Sequence, residues 1–138
     1  DATGADLTPF AAHGGRMLVT IGTNDTLASP GAQLDYYQSL LDTMGRAAVD
    51  GFARLFVLPQ TNHGLQGTAY TPSGTGAAIP NTYDRLSTLI AWVERHEAPA
   101  HALIVTAGDR SLPLCSYPSY PRYVSGPVER AASYICAQ

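Results

Sequence analysis

The sequence has no lysine and few charged residues. All eight basic residues of the 138-residue chain are arginines, against eleven acidic residues, so the net charge is −3 and only 14% of the residues are charged. Without lysine, the chain can neither form a Schiff base nor use a lysine as general base. This slightly acidic net charge does not indicate binding to nucleic acid or to an anionic membrane surface. The composition therefore predicts neither as a partner.

Long apolar runs and a serine elbow are also missing. No apolar run approaches the roughly 20 residues that a membrane-spanning helix needs. No G-x-S-x-G segment occurs, and serines such as Ser29, Ser73 and Ser116 lack the strained strand-to-helix turn of a nucleophile. No nucleophilic serine is therefore predicted within this chain.

Cysteine is scarce, since Cys115 and Cys136 are the only two and lie 21 residues apart. Two cysteines without clustered histidines do not form a zinc site. A disulfide between them would stabilise a segment with few apolar residues by about 3 kcal/mol, and it would indicate an oxidising compartment. The alternative is two independent buried thiols.

Apolar periodicity predicts alternating strands and helices. Short runs rich in β-branched residues predict buried strands, and apolar residues spaced three and four apart predict amphipathic helices. The predicted elements in chain order are strand 17–22, helix 31–44, strand 53–58, helix 82–96 and strand 102–107. This order predicts an α/β fold with right-handed crossovers between parallel strands, in a single domain that comprises residues 1–138.

Two segments show no such periodicity. Residues 60–81 are polar and rich in Gly and Pro, and a loop of this length is usually functional or mobile. Residues 108–138 are rich in Pro and Tyr, and we expect an irregular tail of the same domain that the disulfide holds in place. Between them, Thr82 is the expected N-cap of helix 82–96. This helix carries on one face Leu86, Leu89, Ile90 and Val93.

An acidic and a basic side chain follow the first two predicted strands. Asp25 lies in the loop after strand 17–22, and His63 lies in the loop after strand 53–58. Open parallel sheets carry their functional residues beyond the carboxyl ends of the strands, where neighbouring loops can meet. A carboxylate bound to the Nδ1–H of a histidine forms the acid and base of a catalytic triad. Taken singly, Asp25 also suits an Asx-turn or helix cap, and His63 suits an ordinary exposed loop.

The sequence around the other histidines indicates no catalytic or metal-binding role. His13 lies in a Gly-rich loop, His96 ends a helix, where a cation suits the helix dipole, and His101 lies at a strand entrance. No two histidines have the spacing of a metal-binding pair. The sequence therefore predicts no metal site and no cofactor.

Five short segments occur in a characteristic order over nearly the whole chain. They are DATGADLTPF at the start, then RLFVLPQTNHG, LIAWVE, PLCSYPSYPRY and SYIC. Together they resemble the C-terminal part of the tannase and feruloyl esterase family. Its members are secreted serine esterases with an α/β-hydrolase domain and a large inserted lid, and they cleave aromatic esters such as those of gallate and ferulate. The resemblance implies the C-terminal portion of an α/β-hydrolase parallel sheet, with flanking helices and a disulfide-pinned irregular tail.

The resemblance also implies roles for individual residues. By motif, Asp25 is the triad acid and His63 the triad base, and Cys115 and Cys136 form the C-terminal disulfide. The family's serine and calcium site lie upstream of these motifs. The family usually has a cysteine after the catalytic histidine, bridged to one beside the serine, and this chain has Gly64 there. The resemblance further implies a secreted or periplasmic protein.

The sequence supports two hypotheses. In the first, the chain is a segment of a serine carboxylesterase for feruloyl, galloyl or related phenolic esters. It is inactive alone because the serine lies in the N-terminal remainder of the hydrolase domain. In the second, the chain is a non-catalytic relic or half-domain that binds a partner chain. Part of a larger sheet leaves an apolar strand edge that needs cover, so this hypothesis predicts a complementing chain or a homodimer.

Overall fold

The computed structural model describes residues 3–72 and 74–138. The helices of this part are α1 (Thr8–Ala12), α2 (Pro30–Met44), α3 (Arg46–Asp50) and α4 (Arg85–Arg95). Its strands are β1 (Met17–Gly22), β2 (Ala53–Leu58), β3 (Thr68–Thr71), β4 (Gly74–Ala78), β5 (Ala102–Ala107), β6 (Arg110–Cys115), β7 (Tyr120–Tyr123) and β8 (Tyr134–Ala137). The three predicted strands are confirmed in their bounds, and α2 begins one residue earlier than predicted. No helix of these residues is both long and apolar enough to cross a bilayer.

β1 and β2 form a parallel pair. Met17 lies opposite Ala53, and Gly22 lies opposite Leu58. The chain between them contains α2 and α3, which is the kind of helical crossover that parallel strands require. β2 is buried along nearly its whole length, as expected for an apolar strand that is covered on both faces.

The larger apolar cluster lies between α2 and the parallel pair. Leu40 of α2 is fully buried, and it belongs to the same cluster as Ile21 of β1, Leu55 of β2 and Phe52. Burial of one such side chain stabilises the fold by about 1.5–3 kcal/mol. The loops that follow β1 and β2 are therefore attached to strands that are packed in the core.

The third predicted strand does not continue the parallel sheet. β5 pairs antiparallel with β6, and Ala107 lies opposite Arg110. Only Gly108 and Asp109 connect them, and Gly108 has a φ of +59°, which glycine adopts without strain. The prediction of a third strand in the parallel sheet was therefore wrong, because the segment after β6 lies beside β2, where Ser116 forms an antiparallel bridge with Phe56.

The prediction of an irregular tail was also wrong. Residues 108–138 contain β6, β7 and β8, and β7 pairs antiparallel with β8. Pro113 and Pro121 lie within these strands, in sheets of two strands, where proline is tolerated because each strand has a free edge. The predicted disulfide is confirmed, and it joins β6 to β8 through Cys115 and Cys136, whose Cα atoms are 5.6 Å apart.

The region 60–81 also has more structure than its composition predicted. It contains an antiparallel hairpin of β3 and β4. The helix after it begins later than predicted, since the N-cap of α4 is Asp84, whose side chain accepts a hydrogen bond from the N–H of Ser87 at 2.9 Å. Thr82 instead forms a β-bridge with Thr106.

The apolar face of α4 is exposed. Trp92 is the buried side chain of this helix. By contrast, Leu86, Ile90 and Val93 are 68%, 37% and 47% exposed. Within the described residues, this stripe has no covering element.

Candidate active site

Asp25 and His63 lie at the same end of the parallel pair. The acid loop (residues 23–29) follows Gly22, and the base loop (residues 59–67) follows Leu58, which lies opposite Gly22. Because the two strands are parallel, both loops leave the same edge of the sheet. This arrangement brings together two side chains that are 38 positions apart.

Asp25 uses its two carboxylate oxygens for different purposes. Oδ1 accepts hydrogen bonds from the backbone N–H groups of Leu27 at 2.8 Å and Ala28 at 3.0 Å. Oδ2 lies 2.9 Å from Nδ1 of His63. The side chain is only 6% exposed, so almost all of it is shielded from solvent. Asp25 therefore makes the local turn contacts that its sequence context suggested, and the same side chain binds a histidine.

His63 presents its other nitrogen to solvent. Its side chain is 60% exposed, and Nε2 has no hydrogen-bond partner among residues 3–72 and 74–138. When Nδ1 carries the proton and donates it to a carboxylate, Nε2 keeps its lone pair. The exposed face of the ring can therefore accept a proton from a hydroxyl group that approaches it.

The surroundings of Asp25 lower the pKa of its carboxyl group from the ordinary value of 3.8. The largest cause is the hydrogen bond from the backbone N–H of Ala28, and the contacts with His63 and Leu27 act in the same direction. Burial opposes them because it disfavours the charged form. Asp25 is therefore ionised at neutral pH, as a group that orients and stabilises an imidazolium must be.

Hydrogen bonds within the base loop fix the position of His63. The N–H of Asn62 donates to the carbonyl of Gln66, and the N–H of Leu65 donates to the carbonyl of Asn62, both at 2.9 Å. Gln60 and Leu65 have φ angles of +57° and +60°, which residues other than glycine seldom adopt. Such conformations persist where surrounding contacts impose them, and they cluster at functional sites.

Gly64, next to His63, has room for a small side chain. A Cβ atom added to Gly64 would lie 3.4 Å from Oδ1 of Asn62, an ordinary contact, so the backbone does not require glycine here. Cys115 and Cys136 pair with each other. In the described part of the chain, no cysteine is therefore left to bridge the base loop to another segment.

The remaining histidines make local contacts. Nδ1 of His13 lies 2.7 Å from the carbonyl of Pro9, and His96 is the left-handed C-cap of α4. Within residues 3–72 and 74–138, no group of three or more His, Cys, Asp or Glu side chains could hold a metal ion.

One serine–histidine contact was not visible in the sequence. Nδ1 of His101 lies 3.0 Å from Oγ of Ser116, at a cavity of about 270 Å³ that Arg46 and Asp50 also line. Neither member of the Asp25–His63 pair lines this cavity. The two residues are 15 positions apart, and no motif links them, so the sequence carried no signal for the contact.

The sequence is similar to known esterases. The family described as "Tannase and feruloyl esterase" matches residues 1–137. The mono(2-hydroxyethyl) terephthalate hydrolase of Piscinibacter sakaiensis is 39% identical over 144 residues, which cover 99% of this chain and 22% of that protein. A probable feruloyl esterase of Arthroderma benhamiae is 34% identical over 141 residues, which cover 96% of this chain and 25% of that protein.

Solved structures agree with the sequence comparison. The crystal structure of feruloyl esterase B from Aspergillus oryzae superposes with a TM-score of 0.79 and 26% identity, over 97% of this chain and 29% of that one. Tannin acyl hydrolase from Aspergillus niger has the same fold, with a TM-score of 0.73, over 99% of this chain and 25% of that one. The chain thus spans about a quarter of the length of the relatives it matches. The chain belongs to the tannase and feruloyl esterase family.

Proposed function

We propose that this chain is the acid–base segment of a secreted or periplasmic serine carboxylesterase that hydrolyses feruloyl, galloyl or related aromatic esters. The observation that carries the proposal is the 2.9 Å contact between Asp25 and His63 at the carboxyl ends of a parallel pair. The names of several relatives, among them feruloyl esterases and a terephthalate ester hydrolase, support the substrate class.

The proposed reaction uses a serine that lies outside this chain. The serine hydroxyl transfers its proton to Nε2 of His63 as its oxygen attacks the ester carbonyl. Asp25 holds the ring in the Nδ1–H form and stabilises the imidazolium. His63 then returns the proton to the leaving alcohol. Water next attacks the acyl–serine ester and gives a proton to His63, which passes it to the serine oxygen as the free acid leaves.

Two features support the location of the serine in a preceding part of an α/β-hydrolase domain. Among the described residues, β1 pairs with β2 alone, so its other edge is free to receive a further strand. The stripe of Leu86, Ile90 and Val93 on α4 is exposed, and α4 packs near β1. We infer that a preceding segment adds a strand to β1 and covers this stripe.

Ester hydrolysis tests the proposal. We expect the 138-residue chain alone to have no turnover of methyl ferulate or methyl gallate, because the nucleophile is missing. In a longer protein that contains this chain and the preceding segment, His63→Ala should lower kcat by a factor on the order of 10⁴–10⁶.

His13→Ala is the matched control, because His13 is exposed and its ring lies against the carbonyl of Pro9 at the end of α1. It should retain wild-type kcat. Turnover by the isolated chain that His63→Ala abolishes would contradict the location of the serine. Full activity of His63→Ala in the longer protein would contradict the role of the base.

The free edge of β1 also favours a second candidate, a non-catalytic half-domain that binds a partner chain or a second copy. A dimer of the isolated chain in light scattering, together with an inactive longer protein, would support this candidate. A monomeric chain and an active longer protein would eliminate it.

A further inference from the structure

The acid loop and the base loop are joined to each other beyond the ends of β1 and β2. The N–H of Thr23 donates to the carbonyl of Leu58 at 3.1 Å, and the N–H of Asn24 donates to the carbonyl of Thr61 at 2.9 Å. In the opposite direction, the N–H of Gln60 donates to Oγ1 of Thr23 at 2.8 Å. These contacts prolong the parallel pairing up to the residues that precede the acid and the base.

Thr61 anchors the base loop from inside the protein. Its side chain is fully buried, and its hydroxyl donates to the carbonyl of Leu58 at 3.0 Å. The same carbonyl accepts the N–H of Thr23. One carbonyl oxygen at the end of β2 therefore binds a group from each loop.

Gly22 allows the two loops to approach this closely. A Cβ atom at Gly22 would overlap the carbonyl oxygens of Thr61 and Asn62 and the hydroxyl of Thr61. Two of these atoms belong to the backbone, which cannot turn away as a flexible side chain can. Any side chain at Gly22 would therefore push the base loop away from the acid loop.

We propose that Gly22, Thr23 and Thr61 are positioning residues that hold the Asp25 carboxylate and the His63 imidazole at hydrogen-bonding distance. The catalytic meaning of this arrangement rests on the proposed esterase function, but the coupling itself is a property of the folded chain. The pair needs such support because His63 is largely exposed, and an exposed ion pair by itself contributes little.

The tautomer of His63 is a direct readout of this coupling. A histidine bound to a carboxylate through Nδ1 holds its proton there, whereas a free neutral imidazole mostly carries it on Nε2. Long-range ¹H–¹⁵N spectra of the 138-residue chain, recorded above the pH at which the ring protonates, give the ratio of the two forms. Gly22→Ala and Thr23→Val should each lower the Nδ1–H to Nε2–H ratio by about threefold to tenfold, as the charge-assisted hydrogen bond weakens.

Three variants serve as controls. Thr23→Ser keeps the hydroxyl that accepts from Gln60, and Gly64→Ala adds a methyl group beside His63 where there is room for it. Both should keep the wild-type ratio. Thr61→Ser should likewise keep the ratio, whereas Thr61→Val, which removes the hydroxyl, should lower it.

The outcomes separate this inference from the proposed function. A wild-type ratio in folded Gly22→Ala and Thr23→Val would overturn the inference, whatever the esterase assay gives. If Gly22→Ala does not fold, the test is the comparison of Thr23→Val with Thr23→Ser, because Thr23 is exposed and both variants should fold. A ratio that is lowered in Thr23→Val but not in Thr23→Ser would support the coupling, even if the longer protein proved to be inactive on esters.

Discussion

At the scale of single residues, Asp25 combines turn contacts within its own loop with a contact to His63. Oδ1 binds the N–H groups of Leu27 and Ala28 and so shapes the acid loop, while Oδ2 binds His63. The turn contacts already restrain the carboxylate. Less conformational entropy of the Asp25 side chain is therefore lost when it binds the exposed ring of His63.

The lowered pKa of Asp25 predicts a pH dependence of stability. A carboxyl group with a pKa below 3.8 in the folded state stabilises the fold above its unfolded pKa, and this stabilisation is lost as the pH falls through the folded pKa. The free energy of unfolding of wild type should therefore exceed that of Asp25→Asn by more at about pH 6 than at an acid pH below the folded pKa.

Urea unfolding at both pH values measures this difference. Asp6 and Asp84 also have lowered pKa values, from hydrogen bonds with Thr8 and Ser87. Both residues are unchanged in the variant. The difference between the free energies of unfolding of the two proteins therefore reports on Asp25 alone. A difference that is the same at both pH values would show that ionisation of Asp25 contributes nothing.

The sequence predicted the proposed acid and base, but not the residues proposed to support them. Asp25 and His63 were visible because each follows an apolar strand within a recognisable motif. Gly22 and Thr61 carry no such signal, since their importance comes from atoms of the other loop, almost 40 positions away in the chain. Such a contact appears only when the strands are placed side by side.

At the scale of secondary structure, the disulfide links two strands of the C-terminal region. Cys115 ends β6 and Cys136 lies in β8. The strands of β5–β8 occur in separate two-stranded sheets, and two-stranded units are marginally stable by themselves. The covalent link therefore ties β8 to β6, whose Leu114 is buried in a core cluster.

Removal of the disulfide should destabilise the chain without changing the site. The Cys115→Ser/Cys136→Ser variant should lose about 3 kcal/mol in the free energy of unfolding, because the 21-residue loop is no longer closed in the unfolded state. Chemical denaturation with and without a reductant measures this loss. Wild type should respond to the reductant and the variant should not. Equal stability of oxidised wild type and variant would contradict the prediction.

Sequence patterns located the buried elements better than the exposed ones. The strands of the parallel pair and α2 have dense apolar periodicity, and they were predicted within about one residue. β6 and β7 contain proline, and the turn at Gly108 is too short to be told from the end of a strand by composition. The direction of the β5–β6 pairing depends on this turn, so the third strand was predicted with the right bounds but in the wrong sheet.

At the scale of the whole molecule, the chain leaves surfaces that a larger domain would cover. Leu86 of α4 is 68% exposed in the chain, and Leu86→Ala should therefore change its free energy of unfolding by no more than about 0.5 kcal/mol. In a longer protein with the preceding segment, the same substitution should cost about 2–5 kcal/mol, as for a buried leucine.

Leu40→Ala is the control, because Leu40 is fully buried within the chain itself. It should cost about 2–5 kcal/mol in both proteins. A small effect of Leu86→Ala in both would mean that the preceding segment does not cover α4, and the second candidate, a partner-binding half-domain, would gain support.

The most direct test of the central claim is the kcat of Asp25→Asn for an aromatic ester, measured in the longer protein. Asparagine can keep the contacts of Oδ1 with Leu27 and Ala28, but its amide nitrogen cannot accept the Nδ1–H of His63. The account predicts that kcat falls by about 10⁴, with KM nearly unchanged and the fold intact. A kcat within about tenfold of wild type, well short of that loss, would contradict the assignment of Asp25 and His63 as the acid and base of a serine esterase.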